Sequence, residues 1–97
     1  MKRGLCRNKY YPQILLFLDK NDEVVQSRFQ ELSGGYNEIK NSLSELVDQG
    51  FIIKREFKYG GVKGVYSLTE KGEILADELN RIDEMYYDLR ENDEDDP

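Results

Sequence analysis

A glycine-rich segment, residues 60–64, limits the folds open to this chain more than any other stretch of it. Its sequence is Gly-Gly-Val-Lys-Gly, and it lies between two strand-like stretches, residues 51–59 and 65–68. Apolar and polar side chains alternate in the first stretch, and a period of two is typical of a β-strand. Two such strands joined by a short glycine-containing turn form a β-hairpin. The sequence therefore predicts one small hairpin.

Three helices are predicted before this hairpin, over about residues 10–20, 26–32 and 36–49. Pro12 suits the first turn of the first helix, because the N–H that proline lacks has no partner there. Val24 and Val25 fit either a very short strand or the start of the second helix. The glycines at 34 and 35 indicate a tight turn before the third helix. The third helix has one apolar face, formed by Ile39, Leu43, Leu46 and Val47. Gly50 lies where a terminating glycine is expected.

A long helix is predicted after the hairpin, from an N-cap at Thr69 to about Arg90. Its apolar residues recur in steps of four and three, which is the spacing of a coiled-coil seam. We expect Ile74 and Leu75 to pack on their own domain, and the seam from Ile82 onward to contact a second subunit. The candidate dimer interface, with Met85 widening the seam, consists of Leu75, Leu79, Ile82, Met85, Tyr86 and Leu89.

The net charge of −6 hides an uneven distribution. Residues 1–68 carry eleven Lys or Arg and eight Asp or Glu, whereas residues 69–97 carry three and twelve. The first part has a charge of +3 and could face a polyanion, whereas the second has −9 and should point away from one. We expect residues 1–9 to form a flexible or loosely packed basic arm and the acidic residues 91–97 to form a disordered tail.

Histidine is absent, and Cys6 is the only cysteine. These counts exclude histidine-based acid–base catalysis, Cys–His nucleophile pairs and the usual zinc ligand sets. The many carboxylates are not grouped with a metal-site spacing or a nucleophile, and the glycine-rich segment joins two strands and does not lead into a helix as a phosphate-binding loop does, so we expect no enzyme activity, no metal and no cofactor. The longest apolar run, residues 14–18, is far shorter than the ~20 residues of a membrane span, so no membrane partner is expected. With no export signal and a lone thiol that we interpret as a bystander, the expected compartment is the cytoplasm.

Two motifs lie on either side of the hairpin turn. Residues 39–52 follow the pattern I-x3-L-x2-L-x3-G-[aromatic]-I, and residues 66–72 follow Y-x-L-T-x-x-G. At this spacing the pair resembles winged helix-turn-helix transcription regulators of the MarR-like, PadR-like and HxlR-like kinds, and small winged-helix proteins of archaea and their viruses. The resemblance covers roughly residues 10–90. It implies a mainly α fold with a small β-hairpin (α+β): a winged helix-turn-helix domain over residues 10–68 and a long C-terminal dimerisation helix over residues 69–90.

In that family the third helix lies in the major groove of DNA, and the hairpin, or wing, touches the backbone. The resemblance therefore implies base contacts from Tyr36, Asn37, Lys40, Asn41 and Ser44. It implies phosphate contacts from the wing residues Lys54, Arg55, Lys58 and Lys63, with further ones from the arm residues Lys2, Arg3, Arg7 and Lys9. Asparagine suits an adenine edge, and lysine suits guanine or phosphate. Glu38 and Glu45 would repel phosphates, unless Glu38 accepts from a cytosine amino group.

The function implied is that of a homodimeric, sequence-specific regulator that binds double-stranded DNA, with repression favoured over activation. Two subunits would place their third helices ~34 Å apart on a palindromic site. A winged-helix module that binds another protein is the alternative, and the net charge with Glu38 and Glu45 favours it. A regulator that senses a small ligand is a third interpretation, with room for a pocket only at a dimer interface between the first and last helices.

Overall fold

The computed structural model describes residue 5 and residues 8–32, 34–58 and 62–95, without the side chains of residues 57, 58, 62, 63 and 91–95. Within these ranges the helices are α1 (Tyr10–Asn21), a 3-10 helix (Gln26–Glu31), α2 (Tyr36–Asp48) and α3 (Glu70–Asp95). The strands are β1 (Glu23–Val25), β2 (Ile52–Lys58) and β3 (Val62–Leu68). The predicted mainly α fold with a small hairpin and a long last helix is confirmed.

The hairpin of β2 and β3 belongs to a three-stranded antiparallel sheet with the order β1-β3-β2. Tyr66 in β3 lies between Val24 on one side and Lys54 on the other. Val24 and Val25 therefore form a short strand, which decides between the two alternatives that the sequence left open. Because β1 pairs with the central strand β3, it connects the hairpin to the segment that leads into the 3-10 helix.

Two elements differ from the prediction. The second helix is a 3-10 helix of six residues, longer than most such helices, and its Phe29 is buried in the core. The last helix continues to Asp95, so residues 91–95 are helical and our expectation of a disordered tail from residue 91 is wrong for them. Extending an existing helix adds a hydrogen bond for each residue fixed, which is easier than starting one. Residues 96 and 97 lie outside the described residues.

The core forms where α1, the 3-10 helix, α2 and the sheet meet. The ring of Phe29 lies at its centre and meets Phe17 and Tyr66 edge-on, with ring centroids 5.5 and 5.6 Å apart. Aromatic pairs in this geometry contribute about 0.5–1.5 kcal/mol beyond their burial. The apolar face predicted for the third helix points into this core. Its fully buried aliphatic members include Ile14, Leu15, Leu18, Leu43, Leu46 and Ile52.

Thr69 fixes the start of α3 to the end of α2. Its Oγ1 accepts a hydrogen bond from the N–H of Gly72 at 3.1 Å, which is the predicted N-cap bond. The same hydroxyl donates to the carbonyl oxygen of Gly50 at 2.7 Å, and the Thr69 N–H donates to that of Phe51 at 3.0 Å. Gly72 is buried, and a Cβ there would collide with the Phe51 carbonyl. The threonine and glycine of the motif over residues 66–72 therefore hold two helices together.

Replacing Gly72 by alanine is expected to destabilise the fold, although alanine is the better helix former. The added Cβ would press against the Phe51 carbonyl, and overpacking of this kind costs about 1–3 kcal/mol. Urea unfolding followed by circular dichroism measures the loss. Asp77→Ala, at an exposed position of the same helix, is the control and should change the free energy of unfolding by less than ~0.5 kcal/mol. Equal midpoints for Gly72→Ala and the unchanged chain would contradict the close packing.

Candidate nucleic-acid interface

The five residues predicted to read bases lie together on one exposed face of α2. The opposite face of α2 is buried, with Ile39, Ser42, Leu43 and Leu46 turned into the core. Because that face packs into the core, the polar face of the helix is exposed to solvent. The exposed face, here called the polar face of α2, consists of Tyr36, Asn37, Lys40, Asn41 and Ser44.

Glu38 and Glu45 lie on the flank of α2 that faces α1, and each has a tyrosine partner. The hydroxyl of Tyr10 donates to Glu38 Oε2 at 2.9 Å, and the hydroxyl of Tyr11 donates to Glu45 Oε1 at 2.8 Å. Tyr10 is buried and Tyr11 is half-buried. The sequence showed that the two carboxylates were unusual on such a helix, but it did not indicate that consecutive tyrosines on another helix would bind them.

Asn8 makes a contact that the sequence analysis missed. Its Nδ2 donates to Ser42 Oγ at 3.1 Å, and its Oδ1 accepts from the N–H of Tyr10 at 2.9 Å. Asn8 therefore links the start of α1 to the buried side of α2, although we expected it in a flexible or loosely packed arm. Most of that arm, with Lys2, Arg3, Cys6 and Arg7, lies outside the described residues. Lys9 is exposed, and its ammonium lies 5.2 Å from the centre of the Tyr10 ring.

The structure describes the side chains of two of the four cations predicted for the wing, Lys54 and Arg55. Arg55 is half-exposed and forms an ion pair with Glu23, which joins β2 to β1 across the central strand. Lys54 lies 3.8 Å from a carboxylate oxygen of Glu56 and 5.8 Å from the centre of the Tyr66 ring. Each therefore already has an acidic neighbour. The side chains of the other two, Lys58 and Lys63, lie outside the described residues.

An open groove of about 920 Å³ lies where the start of α1, one flank of α2 and the start of α3 meet. The carboxylate of Glu45 and the phenol of Tyr11 lie on its polar side, and Leu46, Phe51 and Leu75 on its apolar side. This groove lies within one chain, whereas the sequence predicted room for a pocket only between two subunits.

Within the described residues, no three histidine, cysteine or acidic side chains are grouped to hold a metal ion. None of the helices in this part of the chain has the length and apolar character of a membrane span.

The residues proposed for a dimer interface fall into two groups along α3. Leu75 and Leu79 are half-buried against the core of their own subunit. The remaining four are each between 55% and 60% exposed and are here called the α3 stripe: Ile82, Met85, Tyr86 and Leu89. Ile74 was expected to pack on its own domain, but this expectation is wrong, since Ile74 is 61% exposed. It immediately precedes the half-buried Leu75 and therefore points to a different side of α3.

The architecture matches that of several solved transcription regulators. One is ytfH from Salmonella typhimurium, described as a transcriptional regulator: the TM-score is 0.70 and the identity 24%, over 84% of this chain and 75% of that one. SSV1 F-93 gives a TM-score of 0.62 and 22% identity, over 80% of this chain and 89% of that one. These likenesses confirm the winged helix-turn-helix fold.

A third structure is that of Bacillus subtilis PadR in complex with operator DNA. It is 30% identical with a TM-score of 0.62 and matches 74% of this chain, which spans 46% of the length of PadR. No protein-family model matches the chain, and no curated protein matches its sequence. The resemblance to winged-helix transcription regulators, first drawn from two motifs, is thus confirmed by the structural neighbours.

The bond between Tyr11 and Glu45 predicts a dependence of stability on pH. Burial of its phenol first, and then the hydrogen bond and charge of Glu45, raise the pKa of Tyr11 above its ordinary 10.0. The folded chain therefore holds this proton more tightly than the unfolded chain, so its contribution to stability is complete below pH 10.0 and is lost as the pH rises further.

Unfolding in urea at pH 8 and at pH 10.5–11 should show this loss in the unchanged chain and a smaller one in Tyr11→Phe. Tyr87→Phe removes a phenol from the half-exposed end of α3 and is the matched control, with the same pH dependence as the unchanged chain. An identical loss in Tyr11→Phe and in the unchanged chain would rule out this role of the Tyr11 proton.

Proposed function

We propose that this chain is a DNA-binding transcription regulator that works as a homodimer, with α2 in the major groove of a palindromic site and the wing on the backbone. The polar face of α2, presented on a winged-helix fold, is the observation that carries the proposal. The neighbour PadR was solved on operator DNA, which supports a duplex as the partner. Occlusion of a promoter, and thus repression, is the simplest outcome of such binding.

The chemistry of the polar face suits base edges better than phosphates. Asn37 and Asn41 lie one turn apart, and an asparagine amide can make two hydrogen bonds to the edge of an adenine. Ser44, close to one turn beyond Asn41, can donate to or accept from any base. Lys40 is the only cation on α2, so this helix gains little from phosphate attraction. We therefore propose that hydrogen bonds from the amides of Asn37 and Asn41 to base edges are the main source of specificity.

The α3 stripe is the proposed dimer contact. Its ends, Ile82 and Leu89, are seven residues and so about 10 Å apart along the helix, beyond the residues that pack on the core. Four large apolar side chains at coiled-coil spacing form a contiguous patch of the kind that marks an interface. Two copies joined there would present two polar faces to one duplex, and a dimer adds the affinity of two half-sites.

Asn41→Ala is expected to weaken binding to the cognate duplex by at least about thirtyfold, because the substitution removes one amide from each subunit of the dimer and each amide that contacts two atoms of a base is worth about 1–3 kcal/mol. The cognate duplex is first obtained by selection from random DNA, and fluorescence anisotropy then gives the dissociation constants. Asn80→Ala removes the same side chain from α3, where it contacts Asp19, and is the matched control with unchanged affinity. No enrichment of any sequence, and no loss of affinity as salt rises, would refute DNA binding and favour the protein-binding alternative.

Ile82→Lys combined with Leu89→Lys is expected to convert the dimer to a monomer, because two charges would be buried in the proposed contact. Sedimentation equilibrium at micromolar concentration measures the mass, and the cognate affinity should fall with it. Glu84→Lys places a lysine on the opposite side of α3 and should leave the dimer intact. A monomeric unchanged chain, or a variant that remains a dimer, would show that the α3 stripe has another role.

A further inference from the structure

Glu45 lies at the edge of the polar face of α2, one turn after Asn41 and next to Ser44 in the chain. It is exposed, so its carboxylate is open to whatever approaches that face. Lys40 is the one cation on α2, which also carries Glu38, Glu45 and Asp48, so the helix has a charge of −2. A phosphate strand that approaches α2 is therefore repelled.

The position of this carboxylate is fixed from α1. The Tyr11 hydroxyl, 2.8 Å from Glu45 Oε1, holds it on the α1 side of the helix. Tyr10 holds Glu38 in the same way two turns earlier on the same flank, at 2.9 Å. Lys40 lies on the other flank, beside Tyr36 at the small cavity between α2 and the 3-10 helix. The two flanks of α2 therefore differ in charge, and hydrogen bonds fix the anionic one.

Fixed repulsion affects cognate and non-cognate DNA differently. Binding to a non-cognate duplex depends almost entirely on attraction to phosphates, in many orientations that bring the backbone close to α2. Binding to the cognate duplex is fixed in one orientation by hydrogen bonds to base edges, and the Tyr11 hydroxyl keeps the carboxylate turned toward α1 in that orientation. An anion at the edge of the polar face therefore removes more of the non-cognate affinity than of the cognate affinity.

On this basis, which rests on the proposed function, we propose that Glu45 is a specificity-determining residue that acts by repelling the backbone of non-cognate DNA, and that Tyr11 is its positioning residue. The partner class is duplex DNA that is recognised through its base edges, with little attraction between α2 and the phosphates. Discrimination, defined as the ratio of cognate to non-cognate affinity, is the quantity that the pair sets.

The test compares Glu45→Gln with the unchanged chain on the selected duplex and on a scrambled duplex of the same composition. Glutamine still accepts the Tyr11 hydroxyl bond but carries no charge. The scrambled duplex should be bound about three to ten times more tightly by a dimer of this variant, as expected for one surface charge in each subunit, and the selected duplex no more than about twofold. Glu84→Gln, which removes the same charge from α3, is the matched control and should keep the ratio unchanged.

Tyr11→Phe tests the positioning role, and circular dichroism checks that each variant is folded. With Glu45 present, loss of the hydroxyl frees the carboxylate to turn toward the duplex and should weaken cognate binding severalfold. In the Glu45→Gln background the same change should have no effect on affinity. A purely structural role for Tyr11 would give the same loss in both backgrounds.

Each outcome is distinguishable. A ratio that Glu45→Gln leaves unchanged, or lowers no more than Glu84→Gln does, overturns the role of Glu45 while specific DNA binding stands. Equal losses from Tyr11→Phe in both backgrounds overturn the role of Tyr11 alone. An unchanged chain that binds both duplexes equally overturns the proposed function itself, and the inference falls with it.

Discussion

The hydroxyl of Thr69 joins the start of α3 to the turn that follows α2. It accepts from the N–H of Gly72 and donates to the carbonyl oxygen of Gly50, so the first turn of α3 is bonded directly to the end of α2. The missing side chain of Gly72 allows the Phe51 backbone to approach closely enough for this arrangement. Because the contact passes through backbone atoms and one short side chain, it is stiff. This contact, together with the packing of Leu75 and Leu79 on the core, sets the direction of the long helix relative to the polar face of α2.

A second set of bonds fixes the acidic side chains beside the polar face of α2. An exposed carboxylate on a helix would normally be free to move, but here Tyr10 and Tyr11 hold Glu38 and Glu45 against α1. The acidic residues of α3 lie on a helix that extends away from the core, in a molecule 59 Å long and about half as wide. Negative charge is therefore fixed in place beside the polar face of α2 and is otherwise concentrated along α3.

Periodicity predicted most of the architecture, because burial is decided locally wherever a stripe is strong. The stripe of Ile39, Leu43 and Leu46 is buried, and the polar residues opposite it are exposed, as the sequence indicated. Weak patterns were less informative. The spacing of residues in the six-residue segment around Phe29 did not distinguish a 3-10 helix from an α-helix. The acidic run after Leu89 did not indicate that α3 continues through it to Asp95.

The sequence by itself determined the element order, the amphipathic helix that carries the polar face, the cap at Thr69 and the apolar repeat of α3, since each depends on neighbours within a few residues. Only the tertiary structure decided which side chains meet across the chain. It paired Tyr11 with Glu45, 34 residues apart, and Arg55 with Glu23, 32 residues apart. It also assigned Leu75 to the core and left Ile82 exposed within one repeat. Such pairings depend on how whole elements pack, and no local pattern of residue types encodes the distance between two helices.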